Sequence, residues 1–240
     1  MRHALSNGAW LSITWRISEL YGFLDQFVIG LKNTLLVFFL SCMLGTILGL
    51  LIAILRNSPR KSIAACMRAY TGVIRGVPEL LIILLMYFGG TALLSAAVGR
   101  YIEINAFAAG VTALTVVFSG YAAEIFRGAI NAVAPGQREA AIALGLSHWQ
   151  IWFLIIVPQM IPIALPAFCN LCISLIKDTS LISVVGLTDV MRVAYIGAGS
   201  LRAPLPFYLA ASAIYLTLTS LSLLSFRLIE RRYALPLVKG

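Results

Sequence analysis

Apolar residues gather in five long blocks, each near the roughly 20 residues that cross a bilayer as one helix, and short polar segments separate them. The blocks run from about Thr34 to Leu55, Glu79 to Val98, Ala106 to Phe126, Pro158 or Pro162 to between Thr179 and Gly186, and Phe207 to Phe226. Gly45-x-x-x-Gly49 in the first block allows close approach of another helix. Ahead of it, Trp10, Ile13, Ile17, Leu20, Leu24, Phe27 and Leu31 recur at alternating spacings of three and four, with Ser12, Arg16, Glu19, Asp25 and Gln26 between them. That is one apolar stripe on a helix. It predicts an amphipathic interfacial helix within residues 1–33, lying on the membrane and leading into the first span. A coiled coil suits the stripe less well, because Gly22 interrupts it and it is short.

The segments between blocks are read as follows. Ser62 to Ile74, with Arg68 inside it, is expected to be a second interfacial helix, broken by Arg75-Gly76-Val77-Pro78. Residues 99–105 form a short loop. Residues 187–206, broken by Gly197, Gly199, Pro204 and Pro206, form a loop with short helices. The predicted fold is all-α: a polytopic membrane protein with about five transmembrane helices. Residues 34–233 make a single transmembrane domain, with a protruding loop at about 127–157 and a short tail at 234–240.

Composition agrees with this class. The chain has 240 residues, 60% hydrophobic and 11% charged, where soluble domains average about 25% charged residues. Its net charge of +9 reflects basic loops rather than a nucleic-acid surface. The longest basic runs, Arg56 to Lys61 and Arg227 to Arg232, follow the first and fifth blocks. The positive-inside rule then puts the N-terminus outside and the C-terminus and the 127–157 loop in the cytoplasm. Glu19 and Asp25 interrupt the first thirty residues, so no signal peptide is expected. Cys169-x-x-Cys172 sits in an apolar run without the strand context of a redox motif, and reads as small packing residues. His3 and His148 are isolated, so no metal cluster is expected.

No phosphate-binding glycine loop, carboxylate pair at catalytic spacing or nucleophile elbow occurs. The chain is read as a non-enzyme, and any ATP hydrolysis belongs to another protein. No internal repeat of the kind common in secondary carriers is visible. The protruding loop carries the clearest motif. Pro135-Gly136 turns the chain, Gln137 to Leu144 favours a helix with small side chains, Gly145 permits a sharp stop, and Ser147 is placed to cap a following helix.

Glu139-Ala140-Ala141, Gly145, Ile155 and Pro158 resemble the EAA loop of the membrane-spanning subunits of bacterial ATP-binding-cassette importers. That family usually ends the motif Ile-x-Leu-Pro, where this chain has Ile155-Ile156-Val157-Pro158. Ala122 to Gln137, Arg75 to Leu81 and Lys177 to Leu187 are similar to the polar amino-acid permease branch. Leu228 to Tyr233 is similar to permeases for histidine, lysine, arginine, ornithine and opines. The resemblance covers about residues 20–235. It implies a multi-pass permease of the bacterial inner membrane, forming half of an alternating-access path for polar, preferably basic, amino acids or opines. It implies a second permease subunit, a different one favoured over an identical one, two copies of a cytoplasmic ATPase and a periplasmic solute-binding protein. Glu139, Ala140, Ala141 and Gly145 would couple to the ATPase. No cofactor is expected on this chain, since ATP and Mg²⁺ belong to the partner, and no nucleic acid is expected. A secondary carrier or channel without an ATPase is the alternative, and a structural scaffold a further one.

For the substrate path, ionisable residues within spans are costly and tend to face a cavity or a partner. Asp178, with Thr179 and Ser180, is expected to line the path or outer gate and meet a cationic group. Glu79 is a further candidate, although a carboxylate at a helix start is favoured in any case. Counting about 1.5 Å per residue from Ile161 puts Lys177 roughly 24 Å along its helix, in the outer half. Adjacent helical residues point about 100° apart, so Lys177 and Asp178 each need a separate partner. Glu124 and Arg127, at i and i+3, read as a helix-end ion pair.

Overall fold

The computed structural model describes residues 20–233, and they form eight helices with no strand among them. These are α1 Leu24–Arg56, α2 Lys61–Gly76, α3 Glu79–Val98, α4 Ala106–Ala132, α5 Pro135–Ala143, α6 His148–Val185, α7 Val190–Ser200 and α8 Pro204–Tyr233. Five of them, α1, α3, α4, α6 and α8, are long and apolar enough to cross a membrane. A π-helical turn interrupts α3 at Leu85–Gly89 and α6 at Ile151–Ile156, and α6 ends in a 3₁₀ segment, Thr179–Val185.

The centre of the bundle is α4. Phe118, Leu114 and Ala122 on it are almost fully buried, together with Val37 of α1, Ile83 of α3 and Ile182 of α6. The Gly45-x-x-x-Gly49 pattern does what its spacing predicts. A Cβ on Gly45 would lie 2.7 Å from the Phe118 ring, and one on Gly49 would lie 2.8 Å from Ala122 Cβ. Contacts advance together along both helices, so α1 and α4 run in the same direction. α3 runs against α4: Glu79 is level with Phe118 and Tyr121, and Gly90 packs on Ile104.

Several expectations are corrected here. Three of the seven stripe positions, Trp10, Ile13 and Ile17, lie outside the described residues, and the other four are visible. Leu24 starts α1, ten residues before the expected Thr34. Phe27 is buried, and Leu20, Phe23 and Leu31 pack with it on α7 and α8 instead of lying on the membrane. The Phe207 ring explains this: Phe23 meets it edge-on at 5.0 Å and Phe27 stacks on it at 6.5 Å. The helix expected at the interface, α2, instead crosses the middle of α4. The Tyr70 hydroxyl lies 2.8 Å from Ser119 Oγ and donates to the Val116 carbonyl at 3.2 Å, and Ile74 lies over Gly120. The helix that Ser147 is placed to cap does begin at His148, and it is continuous with the fourth span, running on through Pro162 and Pro166. The near neighbour of Cys172 Sγ is Cys42 Sγ, 3.7 Å away across to α1.

At one end of the bundle, α7 is clamped to α1. Asn33 donates to the Thr188 carbonyl at 2.8 Å, and the Val190 N–H reaches Thr34 Oγ1 at 3.4 Å. Asp189 between them caps α7 by accepting from the Arg192 N–H at 2.8 Å. It is fully buried, and its second oxygen has no hydrogen-bond partner. Burial pushes the Asp189 carboxyl from its ordinary 3.8 up to about 6, although helix N–H groups oppose the shift. A raised carboxyl pKa favours the fold while protonated, so this stability is present below 3.8 and lost as pH rises through about 6. Asp189→Asn keeps an equally good cap. Melting of the solubilised protein should show the Asn variant gaining on the parent as pH rises across that window and holding a constant lead above it. A pH-independent difference would contradict the buried-charge account.

Candidate functional site: a mid-bundle helix break and a projecting elbow

Two places in the bundle concentrate polar chemistry. The first is the break between α2 and α3. Gly76 ends α2, Val77 and Pro78 are extended, and Glu79 opens α3. The break is level with the middle of α4, because Arg75 before it reaches Glu124 and Glu79 after it faces Phe118 and Tyr121. Pro78 has no N–H to donate and starts a helix well, so sequence chemistry fixes the break here.

Glu79 and Asp178 line one cavity of about 280 Å³, walled also by Phe118, Tyr121, Leu171 and Ser174. Both carboxyl-bearing side chains line this one cavity. Of the four residues expected on the path, these two are brought together and two are not. Thr179 is buried in the core with its hydroxyl donating to the Ile176 carbonyl at 2.7 Å, and Ser180 donates to the Lys177 carbonyl at 2.7 Å. Asp178 lies at mid-bundle height rather than in an outer half. Its cavity neighbours Phe118 and Tyr121 are central residues of α4.

Glu124 makes more than the expected pair. Arg127 bonds it at 3.1 Å, Arg56 at the end of α1 makes a short bond to Oε1, Arg75 lies 3.4 Å away, and Thr71 Oγ1 is at 3.4 Å. Arg75 also sits over the Tyr121 ring, 5.7 Å from its centroid. Sequence reasoning missed the roles of Arg75, Tyr121 and Ser174. One signal was present: charges flanking a Gly-Val-Pro break between apolar stretches mark discontinuous helices in transport proteins.

The second place is the elbow, α5 and the start of α6, at the end of the bundle opposite α7. The α5 helix ends as its sequence predicts. Gly145 is left-handed at φ +76°, its N–H bonds the Ile142 carbonyl at 2.9 Å, and the Leu146 N–H bonds the Ala141 carbonyl at 3.1 Å. This is the Schellman arrangement. Ser147 and Gln150 cap the next helix reciprocally. Ala141 is buried against Ile151 and Ile156, whereas Glu139 and Ala140 face outward. Leu144 is 80% exposed and Ile142 58%. A cleft of about 870 Å³ separates the elbow from the end of α1, with Asn57 and Pro59 on one side and Glu139 and His148 on the other. The elbow thus holds an exposed apolar tip on a doubly capped turn.

An all-helical bundle with five helices long and apolar enough to cross a membrane is the architecture of a multi-pass membrane protein. The family model described as "Binding-protein-dependent transport system inner membrane component" matches residues 45–235, and the chain belongs to that family. It is a multi-pass permease subunit of ATP-driven importers, in which a separate ATPase hydrolyses ATP and a binding protein is a further component. The chain is 42% identical to the nopaline transport system permease protein NocQ of Agrobacterium fabrum, over 84% of this chain and 88% of that one. It is 37% identical to the arginine ABC transporter permease protein ArtQ of Haemophilus influenzae, over 80% and 86%. It is 34% identical to the histidine/lysine/arginine/ornithine permease protein HisQ of Escherichia coli, over 90% and 96%. A crystal structure of an amino acid ABC transporter with histidines superposes with a TM-score of 0.78 at 37% identity, covering 89% of this chain and 96% of that one.

The Glu124 cluster gives a direct test. Removing the shared carboxylate leaves guanidinium groups unpaired inside the bundle, and breaking such a partly buried cluster costs about 3–5 kcal/mol. Glu124→Ala should lower the melting temperature sharply and cut the yield of folded protein. Arg127→Gln, which removes the most exposed part of the pair on α4 itself, should cost far less. Equal effects would show that Glu124 does not tie the helices together.

Proposed function

We infer that this chain forms half of an alternating-access path for polar, preferably basic, amino acids or opines, and that Glu79 and Asp178 receive the cationic group of the substrate. The observation that carries this is the pair of carboxyls facing one cavity beside the centre of α4. Two acids in so confined a space repel each other, and a cation between them relieves that repulsion. The names of the relatives support the substrate class: nopaline, arginine and the histidine/lysine/arginine/ornithine group. Thr179 and Ser180 hold the turn that carries Asp178 and support the site from behind.

The elbow is the coupling element. Glu139, Ala140 and the exposed Leu144 meet the ATPase, Ala141 fixes α5 to α6, and Gly145 sets the angle between them. The basic runs at 56–61 and 227–232 favour a cytoplasmic elbow and C-terminus with the N-terminus outside, in a bacterial inner membrane. The second permease is a different, homologous chain, as favoured by the resemblance to the basic amino-acid and opine branch. ATP and Mg²⁺ bind the two ATPase copies, and a periplasmic binding protein delivers substrate.

Asp178→Asn in the assembled importer should weaken substrate binding by about tenfold or more, the scale of a lost charge-assisted bond, without loss of assembly. Unchanged affinity and uptake rate would exclude the carboxylate cavity as the site. Leu144→Asp and Ala140→Asp lie on the exposed tip, so the bundle should fold normally while co-purification with the ATPase falls about tenfold or more, as expected for an interface hot spot. Undiminished co-purification and ATP-driven uptake would remove the elbow from the coupling role.

A further inference from the structure

Where α1 meets α6, two free thiols are in contact. Cys42 Sγ and Cys172 Sγ lie 3.7 Å apart, against about 2.0 Å in a disulfide. The remaining gap is on the scale of side-chain rotation, not of helix movement. Cys42 is partly exposed and Cys172 is buried. A small reagent therefore reaches the first sulfur and finds the second already touching it.

The surroundings hold α1 to α4 at this level. Ser41 donates to the Val111 carbonyl of α4 at 3.2 Å, Gly45 lies against the Phe118 ring, and the Thr46 hydroxyl donates to the Cys42 carbonyl at 2.6 Å. Cys42 thus belongs to a unit made of α1 and α4. α6 rests on that unit differently. Phe168, one turn before Cys172, meets Phe118 edge-on at 5.8 Å and stacks on Phe126 at 5.5 Å. Small shifts of packed helices exchange apolar contacts of this kind for equivalent ones. Among the described residues, the other side-chain hydrogen bonds of α6 stay within it. The thiol pair is the place where α6 can be bonded covalently to the α1–α4 unit.

We propose that Cys42 and Cys172 are an oxidative modification site, at which a hydroperoxide forms a disulfide that staples α6 to α1 and stops transport until it is reduced. The Cys42 sulfur attacks a peroxide oxygen, the O–O bond breaks, and the alcohol leaves with the thiol proton, giving a sulfenic acid. The Cys172 sulfur then attacks the Cys42 sulfur. The S–S bond forms, the S–O bond breaks, and hydroxide leaves as water with the Cys172 proton. The two thiols give up two electrons in all, and the hydroperoxide takes them. Leu171, beside Cys172, and Phe118, beneath Gly45, both line the carboxylate cavity, so the bond fixes two of its walls. The effect on transport rests on the alternating-access reading above, in which those walls move.

The test uses the assembled permease–ATPase complex with its binding protein in proteoliposomes, treated with tert-butyl hydroperoxide. Peptide mapping should find Cys42 and Cys172 joined, two hydrogens lighter than the free pair. ATP-driven uptake of L-arginine and nopaline should fall in proportion to the fraction joined and return with dithiothreitol. Cys42→Ala and Cys172→Ala should each keep basal uptake and lose the reversible inhibition. Cys66→Ala, on exposed α2, and Cys169→Ala, buried one turn before Cys172, should remain sensitive. Cys42 is partly exposed, so Cys42→Ala decides the matter if the Cys172 variant folds poorly. Oxidation that leaves the pair unjoined, or reversible inhibition that persists in Cys42→Ala, would overturn the site. A joined pair with undiminished uptake would overturn the staple. If uptake by the untreated parent does not depend on ATP, the proposed function falls instead, and the peptide map still decides whether the pair joins.

Discussion

Glu124 holds one negative charge among three guanidinium groups, and the architecture of the bundle centre follows from that shortage. Arg56 closes α1, Arg75 closes α2, and Arg127 lies one turn further along α4. A single carboxylate thereby fixes where two other helices end against the central one. Inside a membrane such a cluster has little water to screen it, so losing the shared acid leaves like charges facing each other at short range. Close packing reinforces the arrangement: Gly45 and Gly49 let α1 lie against α4 at a distance no larger side chain permits. The electrostatic tie works only because the helices already touch.

Arg75 is the most distant of the three at 3.4 Å, and it lines a pocket together with Glu124 and Lys177. Across Tyr121 the balance reverses, with Glu79 and Asp178 together and no basic residue lining their cavity. The break at Val77 and Pro78 makes this juxtaposition possible. A continuous helix would keep Arg75 and Glu79 on one face at i and i+4, where they would pair. Interrupting it sends Arg75 to Glu124 and Glu79 to Asp178. The helix break separates charges that regular geometry would neutralise.

Local chemistry was legible in the sequence wherever it acts over a few residues. The stop at Gly145, the cap at Ser147 and the close approach at Gly45 and Gly49 all depend on backbone rules and side-chain size. The spans were legible as apolar lengths. What failed was anything decided by distant partners. Arg68 and Arg75 make α2 look like an interfacial helix, and only Ser119 and the Val116 carbonyl on α4 reveal why it enters the bundle. Phe23 and Phe27 fit a membrane surface as well as they fit the ring of Phe207. Prolines usually end helices, yet in membrane bundles neighbouring groups and local π adjustments let helices continue past them, and α6 runs on past Pro162 and Pro166. Thr179 looked like a path residue by adjacency, yet an angular step of about 100° turned it into the core.

The elbow and the cavity are joined by two uninterrupted chain segments, and this sets how motion at one must reach the other. Asp178 is carried on α6, which starts directly from the cap at Ser147. Phe118 and Tyr121 are carried on α4, which ends at Ala132 immediately before α5. The elbow is therefore the only covalent link between the two helices that form opposite walls of the cavity. Glu79 belongs to neither; it hangs from the break after α2. In the proposed coupling, a force on α5 acts on the α4 and α6 walls at their joined ends, and through α6 on Asp178. The π turn at Ile151–Ile156 and the prolines at 162 and 166 lie between the elbow and Asp178, and these are the points where α6 has given up regular hydrogen bonds and resists bending least. The same helix is thus capped at the elbow and irregular between the elbow and Asp178, which is the form that the proposed coupling of elbow to cavity requires.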